Sequence, residues 1–404
     1  MKLRLQSIDK ESMTLGGFFV PTIISSWAIF QGDTTLAPPI VEKTLSLLNW
    51  ICFIVLIFNF KSKKIINTGL LLASLFFFFL RNVYTAAGLS FKFSGVLMLL
   101  LLIVFCYYNP LQLNKLIQWF RKYMIMLSII GIIVSLDYLI GFGLPHETVE
   151  YYGLNQSAFY VNYYFSYLYM QNDGIRLCGL FNEPGYMGTI LGLIIAVEGF
   201  NFKRIGNVVL LIAGFFTLSV AFFVLLFVGL IIKSLSSRKF LIGFLLSLII
   251  AYFSVDYFDK DNVVKDYIEM QTTYDKSSNS IGGHSREDDS FTKIYKNFNE
   301  SGPILFGYGT GYCSMHGMQK TSSIRISFVE WGYIGSLIIY GLLLLTGFYA
   351  TKKNKQALLF LFCFALSLYQ RPNVFSSLYY LILMGGIYHI RIKDSMKINY
   401  LTKQ

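Results

Sequence analysis

The chain has 404 residues, of which 55% are hydrophobic, 17% aromatic and 14% charged, and it carries a net charge of +12. Soluble domains carry about 25% charged residues, and runs such as 70–80 (LLLASLFFFFL) and 96–106 (VLMLLLLIVFC) suit no water-facing surface. An ordinary cytoplasmic enzyme, a disordered chain and a disulfide-rich secreted module are excluded. A nucleic-acid partner is also excluded, because the basic residues sit in small clusters between apolar runs. The composition is that of an all-α polytopic integral membrane protein.

A helix that crosses the hydrocarbon needs about 20 mostly apolar residues. Such runs fall at 14–31, 45–60, 65–80, 94–108, 123–143, 185–201, 206–232, 240–255, 326–349, 357–370 and 375–390. Residues 1–13 are polar and basic, and the first run ends without a small-residue cleavage site, so it is expected to remain as a signal anchor. The stretch 109–122 (NPLQLNKLIQWFRK) reads as an amphipathic helix lying on the cytoplasmic interface. Lys61, Lys63 and Lys64 after the second run, Lys115, Arg121 and Lys122 after the fourth, and Lys203 and Arg204 after the sixth fall on one side with Lys2, Arg4 and Lys10. The positive-inside rule makes that side the cytoplasm.

The run 206–232 has basic residues at both ends, Lys203 and Arg204 before it and Lys233, Arg238 and Lys239 after it. A single helix of that length would measure about 40 Å, against a hydrocarbon core of about 30 Å. It would also move the second basic cluster outside. A break near Thr217-Leu218-Ser219 returns the chain to the cytoplasm. The expected layout is therefore one membrane domain over 1–404 with twelve spans and both termini cytoplasmic. Two segments then lie outside: the stretch 144–184, and a large loop over 256–325 between spans nine and ten.

The sequence RLCGLFNEPG at 176–185 enters span six from outside. Pro184 suits the first helical turn, and Asn182 or Glu183 can cap it. A helix N-terminus with an arginine fork seven residues upstream can hold phosphate. Equally, Arg176 and Glu183 can pair and fix the loop. Charges in or beside spans are functional candidates: Asp137, Glu198, Arg325 and Glu330, with Lys203 and Arg204 able to neutralise Glu198 and a local pair open to Arg325 and Glu330. Arg286 and His284, in the large loop, are further candidates. The tyrosines of 151–169 can form a sugar-stacking surface or an interfacial aromatic belt. Cys178 and Cys313 are both on the outer side, where a disulfide is allowed. No His or Cys occurs at metal-ligand spacing, so no metal or other cofactor is expected.

The pattern R-x-x-G-x-F-x-E-P before an apolar span resembles the signature of the O-antigen polymerase and ligase superfamily, bacterial enzymes that act on undecaprenyl-pyrophosphate-linked glycans. The layout is similar too, with one large outer loop before the last three spans. Residues 303–335 add a G-x-G-x-G turn (Gly307, Gly309, Gly311) and E-x-G-x-x-G (Glu330, Gly332, Gly335). The turn lacks the Lys-Ser/Thr of a phosphate-binding loop. Where ligases of the superfamily typically have a His-Asn pair, this chain has Thr321 and Ser322, which favours a polymerase.

The resemblance implies a metal-independent glycosyltransferase of the bacterial inner membrane, serving lipopolysaccharide or capsule synthesis. It would move a growing glycan from undecaprenyl pyrophosphate onto an incoming lipid-linked repeat. Arg176 and Arg325 would hold pyrophosphate, with Arg286 and His284 as further substrate contacts. Glu183 would act as base or orient Arg176, and Glu330 is the second choice for base. A chain-length regulator and a flippase would be membrane partners. The alternatives are a ligase using the same donor, and a flippase or other transporter.

Overall fold

The computed structural model describes residues 10–27, 39–59, 65–88, 93–151, 158–171, 174–234, 274–275, 280–281, 289–317, 324–372 and 375–401. The expected ninth span, 240–255, lies outside them, as do His284, Arg286, Thr321 and Ser322. The described chain is mostly helical: α1 (Lys10–Ile24), α2 (Pro39–Asn59), α3 (Thr68–Asn82), α4 (Phe93–Phe105), α5 (Pro110–Ile140), α6 (Pro184–Val197), α7 (Ile205–Phe216), α8 (Val220–Ser234), α9 (Asp289–Ser301), α10 (Tyr312–Met315), α11 (Ile324–Thr351), α12 (Lys355–Gln370), α13 (Ser377–Tyr380), a π-helical turn at Leu381–Gly385, and α14 (Gly386–Leu401). Among them α5 and α11, at 31 and 28 residues, are long and apolar enough to cross a membrane. Both leave large apolar side chains such as Ile133, Leu139, Leu337 and Phe348 exposed along their lengths, a surface that suits lipid rather than water.

The core forms around α6. Every residue of this helix except Tyr186 is buried, as expected for a helix that is apolar on all sides. It packs against α7, α8, α12 and α14. Gly188 and Gly192, four residues apart on one face, let α8 and the turn before it approach closely. A Cβ on Gly188 would lie 2.4 Å from the Ser219 side chain, and one on Gly192 3.1 Å from Leu225. Small residues at this spacing are how helices come together where no water drives them.

The run 206–232 is broken as its length demands. Helix α7 ends at Phe216, Leu218 adopts a left-handed conformation (φ +44°), and α8 starts at Val220. The chain then returns, and Lys233 Nζ donates to the carbonyls of Gly199 (2.9 Å) and Phe200 (2.7 Å) at the far end of α6. Arg204, before the hairpin, and Lys233, after it, therefore both meet one end of α6.

Two expectations are corrected. First, 109–122 does not form a separate interfacial helix: α5 runs unbroken from Pro110 to Ile140, opened by a capping box between Asn109 and Gln112. Its early apolar residues Leu113, Leu116, Ile117 and Phe120 are buried, against the π-helical turn and α14. Burial on this stripe outweighs exposure at an interface.

Second, the fold is not all-α. The stretch 144–184 contains a four-stranded antiparallel sheet in the order β1 (Glu147–Tyr151), β2 (Ala158–Asn162), β3 (Tyr167–Gln171), β4 (Gly174–Gly179). Alternation explains it. Val161, Leu168 and Leu177 join the main core, with Leu177 seated over Gly131 of α5. Tyr160, Tyr167 and Cys178 form a second small cluster, with Tyr169 packed against it. Tyr160 and Tyr167 are therefore buried in this cluster, whereas Tyr164, between β2 and β3, is exposed. A further two-stranded ribbon, β5 (Tyr274–Asp275) and β6 (Ser280–Ile281), lies in the large loop.

Candidate functional site

The motif 176–185 links the sheet to the core helix. Pro184 occupies the first turn of α6, where its missing N–H costs nothing. Glu183 is the N-cap residue, but its side chain makes no capping bond. Instead Glu183 Oε2 lies 2.5 Å from a terminal nitrogen of Arg371, which follows α12. The carboxylate is 48% exposed and the guanidinium 11%. Burial works against the Arg371 charge, but the Glu183 carboxylate beside it more than compensates and holds the group protonated.

Arg176 sits on β4 with its guanidinium on the α7–α8 turn. Its Nε donates to the Thr217 carbonyl (3.1 Å) and one terminal nitrogen to the Leu218 carbonyl (3.1 Å). These are carbonyls at the end of α7, which a cation satisfies well. Arg176 thus ties the sheet to the hairpin. The Tyr160 hydroxyl donates to the Asn182 carbonyl, which fixes the loop just before the N-cap.

Arg371 was not among the sequence candidates. It stands in Gln370-Arg371-Pro372, directly after α12, and its partner is brought to it only by the fold. Tyr186 and Tyr379 flank it, their rings 5.9 Å apart. Arg371 Nε and the Tyr379 hydroxyl are both buried, and neither has a hydrogen-bond partner among the described residues. Two such groups side by side are costly.

The next residue joins the second motif. The Tyr340 hydroxyl donates to the Pro372 carbonyl (3.3 Å) and hydrogen-bonds Ser327 Oγ (2.9 Å) at the head of α11. Arg325 lies two residues before Ser327, its guanidinium 5.0 Å from the Tyr295 ring. Glu330 is buried, and its Oε1 accepts the backbone N–H of Gly311 at 2.9 Å. Its backbone carbonyl accepts from Gly309.

The glycines around Glu330 are conformationally required. Gly307, Gly309, Gly311 and Gly332 all have positive φ, and a Cβ on Gly332 would come within 2.2 Å of the Leu305 carbonyl. Thr310 closes the knot by donating from its hydroxyl to the Leu80 carbonyl and pairing with Thr85. The Gly-rich turn thus clamps α3 to a kinked α11, with Glu330 as its staple.

The remaining charged candidates have structural partners. Asp137 accepts from the Tyr163 hydroxyl (2.9 Å) and the Leu144 N–H (3.1 Å), fastening α5 to the sheet. Glu198 sits at the opposite end of α6 among Arg121, Arg204, His389 and Lys393, all within 3.3 Å. Cys178 and Cys313 form no disulfide and lie in separate clusters, and burial pushes the Cys178 thiol far up. Among the described residues no group of three or more His, Cys, Asp or Glu gathers as a metal site would require.

Comparison with protein-family models, curated proteins and solved structures yields no match.

Proposed function

We propose that the chain is a polysaccharide repeat-unit polymerase with twelve spans in the bacterial inner membrane, acting at the outer leaflet. The observation that carries this reading is the position of Arg371-Pro372 between the two motifs that resemble the polymerase and ligase superfamily. Arg371 pairs with Glu183 of the first, and Pro372 connects through Tyr340 to Ser327 at the head of the second. The unsatisfied Arg371 Nε and Tyr379 hydroxyl beside this pair suit a ligand rich in acceptor oxygens. The gathering of Arg121, Arg204, Lys233 and Lys393 at the other end of α6 supports the cytoplasm on that side, and so an outward-facing motif end.

A pyrophosphate-linked sugar carries a good leaving group, and the main task is to stabilise the charge that develops on it. In this reading Arg371, together with Arg176 and Arg325, holds the pyrophosphate of the growing chain. An anion arriving at Arg371 competes with Glu183 and releases that carboxylate. The acceptor hydroxyl of the incoming repeat attacks the anomeric carbon, its proton passes to Glu183, and the bond from that carbon to the phosphate oxygen breaks. Undecaprenyl pyrophosphate departs with the electron pair. Fixed charges in a water-poor site supply the catalysis, and the half-exposed Glu183 is better placed to take a proton than Glu330, which is tied to Gly311.

The test is glycan analysis in a host whose own copy is deleted. Complementation by the wild type restores long chains. Arg371→Ala leaves single repeats on the final acceptor while the protein still accumulates in the membrane. Polymer stranded on the carrier lipid would instead indicate a ligase, and unchanged ladders would overturn the assignment of Arg371.

A further inference from the structure

The end of α6 remote from the motif opens into a cavity of about 270 Å³ between α5 and α14. Four permanent cations line it: Arg121, Lys122, Arg204 and Lys393. They face one carboxylate, Glu198, whose side chain is 1% exposed. Arg204 Nη1 is 2.8 Å from Glu198 Oε2, and Lys393 Nζ is 3.3 Å from the same oxygen. Arg121 Nε and His389 Nε2 stand 3.3 Å from Glu198 Oε1. Arg121 Nη2 also donates to Asn207 Oδ1 (3.1 Å), and His389 Nδ1 lies 2.8 Å from Asn114 Oδ1.

One buried carboxylate cannot balance this ring. Counting permanent charges alone, the wall carries four positive against one negative, a surplus of three in a concave site, where fields are focused. A structural ion pair needs one cation, or two. Here one carboxylate gathers three cations that line the cavity, Arg121 being shared with Asn207, and Lys122 lines it without contacting Glu198 in any described ion pair. Ile392 adds an apolar wall.

We propose that this cavity binds a phosphate group, as carried by the headgroup of an anionic phospholipid or by inorganic phosphate. Arg121, Lys122 and Lys393 are the residues that meet the phosphate oxygens, and Glu198 holds the arginines in place. The site lies at the opposite end of α6 from the Glu183–Arg371 pair and shares no residue with the proposed catalytic site.

The test uses the purified full-length protein in a neutral detergent. Thermal unfolding is followed while short-chain phosphatidylglycerol, short-chain phosphatidylcholine or inorganic phosphate is added separately, because a ligand of the folded state raises the melting temperature. Wild type is expected to be stabilised by phosphatidylglycerol and not by phosphatidylcholine. Stabilisation by inorganic phosphate as well identifies the free anion as sufficient. Lys122→Ala, which leaves all four Glu198 contacts intact, is expected to weaken the response about fivefold, near the contribution of one basic residue at a membrane surface. Equal responses to the two lipids with no effect of phosphate, or an unchanged response in Lys122→Ala, would overturn the proposal.

Discussion

Glu183 and Arg371 form an ion pair in which the two partners differ in burial: the carboxylate is half exposed and the guanidinium is almost enclosed. The pair joins the N-terminus of the core helix α6 to the end of α12. Loss of the carboxylate strands a buried cation, whereas loss of the arginine leaves an acid that water can solvate. Glu183→Gln is therefore expected to cost about 2 kcal/mol, below the full penalty for breaking a buried pair because one partner is solvated. Arg371→Met is expected to cost less. Thermal unfolding of the two variants in detergent checks the order, and a larger loss in Arg371→Met would contradict it.

Arg176 acts on the α7–α8 turn through two backbone carbonyls. A lysine keeps the charge but cannot reproduce the planar fork. Arg176→Lys should therefore speed amide hydrogen exchange at the turn 217–223 by about tenfold, with exchange in the middle of α6 unchanged. If exchange at the turn were unaffected, the two bonds would have no role in holding it.

The Gly-rich knot separates strain from crowding. Gly332 and Gly88 both have positive φ, but a Cβ on Gly332 would collide with the Leu305 carbonyl, whereas one on Gly88 meets open space. Gly88→Ala is expected to cost about 1 kcal/mol from backbone conformation alone. Gly332→Ala must also displace a backbone segment and should fail to accumulate or should melt far lower. Similar stability of the two variants would show that the kink at Gly332 can relax.

None of the five cysteines is in a disulfide. Non-reducing and reducing gels should agree, and alkylation of the native protein should modify the half-buried Cys52 well before the enclosed Cys178 and Cys313. Mass spectrometry reads the order. A species with Cys178 joined to Cys313 would contradict the separation of their clusters.

Much of the helical layout was legible in the sequence because lipid-scale apolar runs are strong signals. The break at Thr217-Leu218-Ser219 followed from length and flanking charge, and Pro184 marked the start of α6. The sheet was not legible. Its strands are short and rich in tyrosine, and an aromatic segment beside a span has the composition of a membrane interface as readily as that of a strand. The continuity of α5 was obscured by Arg121 and Lys122, which look like a boundary until Arg121 is seen to reach Glu198. Glu330 read as a reactive group, yet its carboxylate is engaged by the N–H of Gly311, a contact set by the turn's left-handed glycines. Arg371 carried no local signal at all, since its meaning depends on a partner far away in the chain.

The central claim is that this chain lengthens lipid-linked glycans. The direct measurement is to reconstitute the purified protein in vesicles with an undecaprenyl-pyrophosphate-linked repeat unit as the sole substrate, and to separate the products by size. The account predicts a ladder of longer chains with release of undecaprenyl pyrophosphate, without added nucleotide, lost in Arg371→Ala. Repeats that remain single, or that only change leaflet, would contradict it.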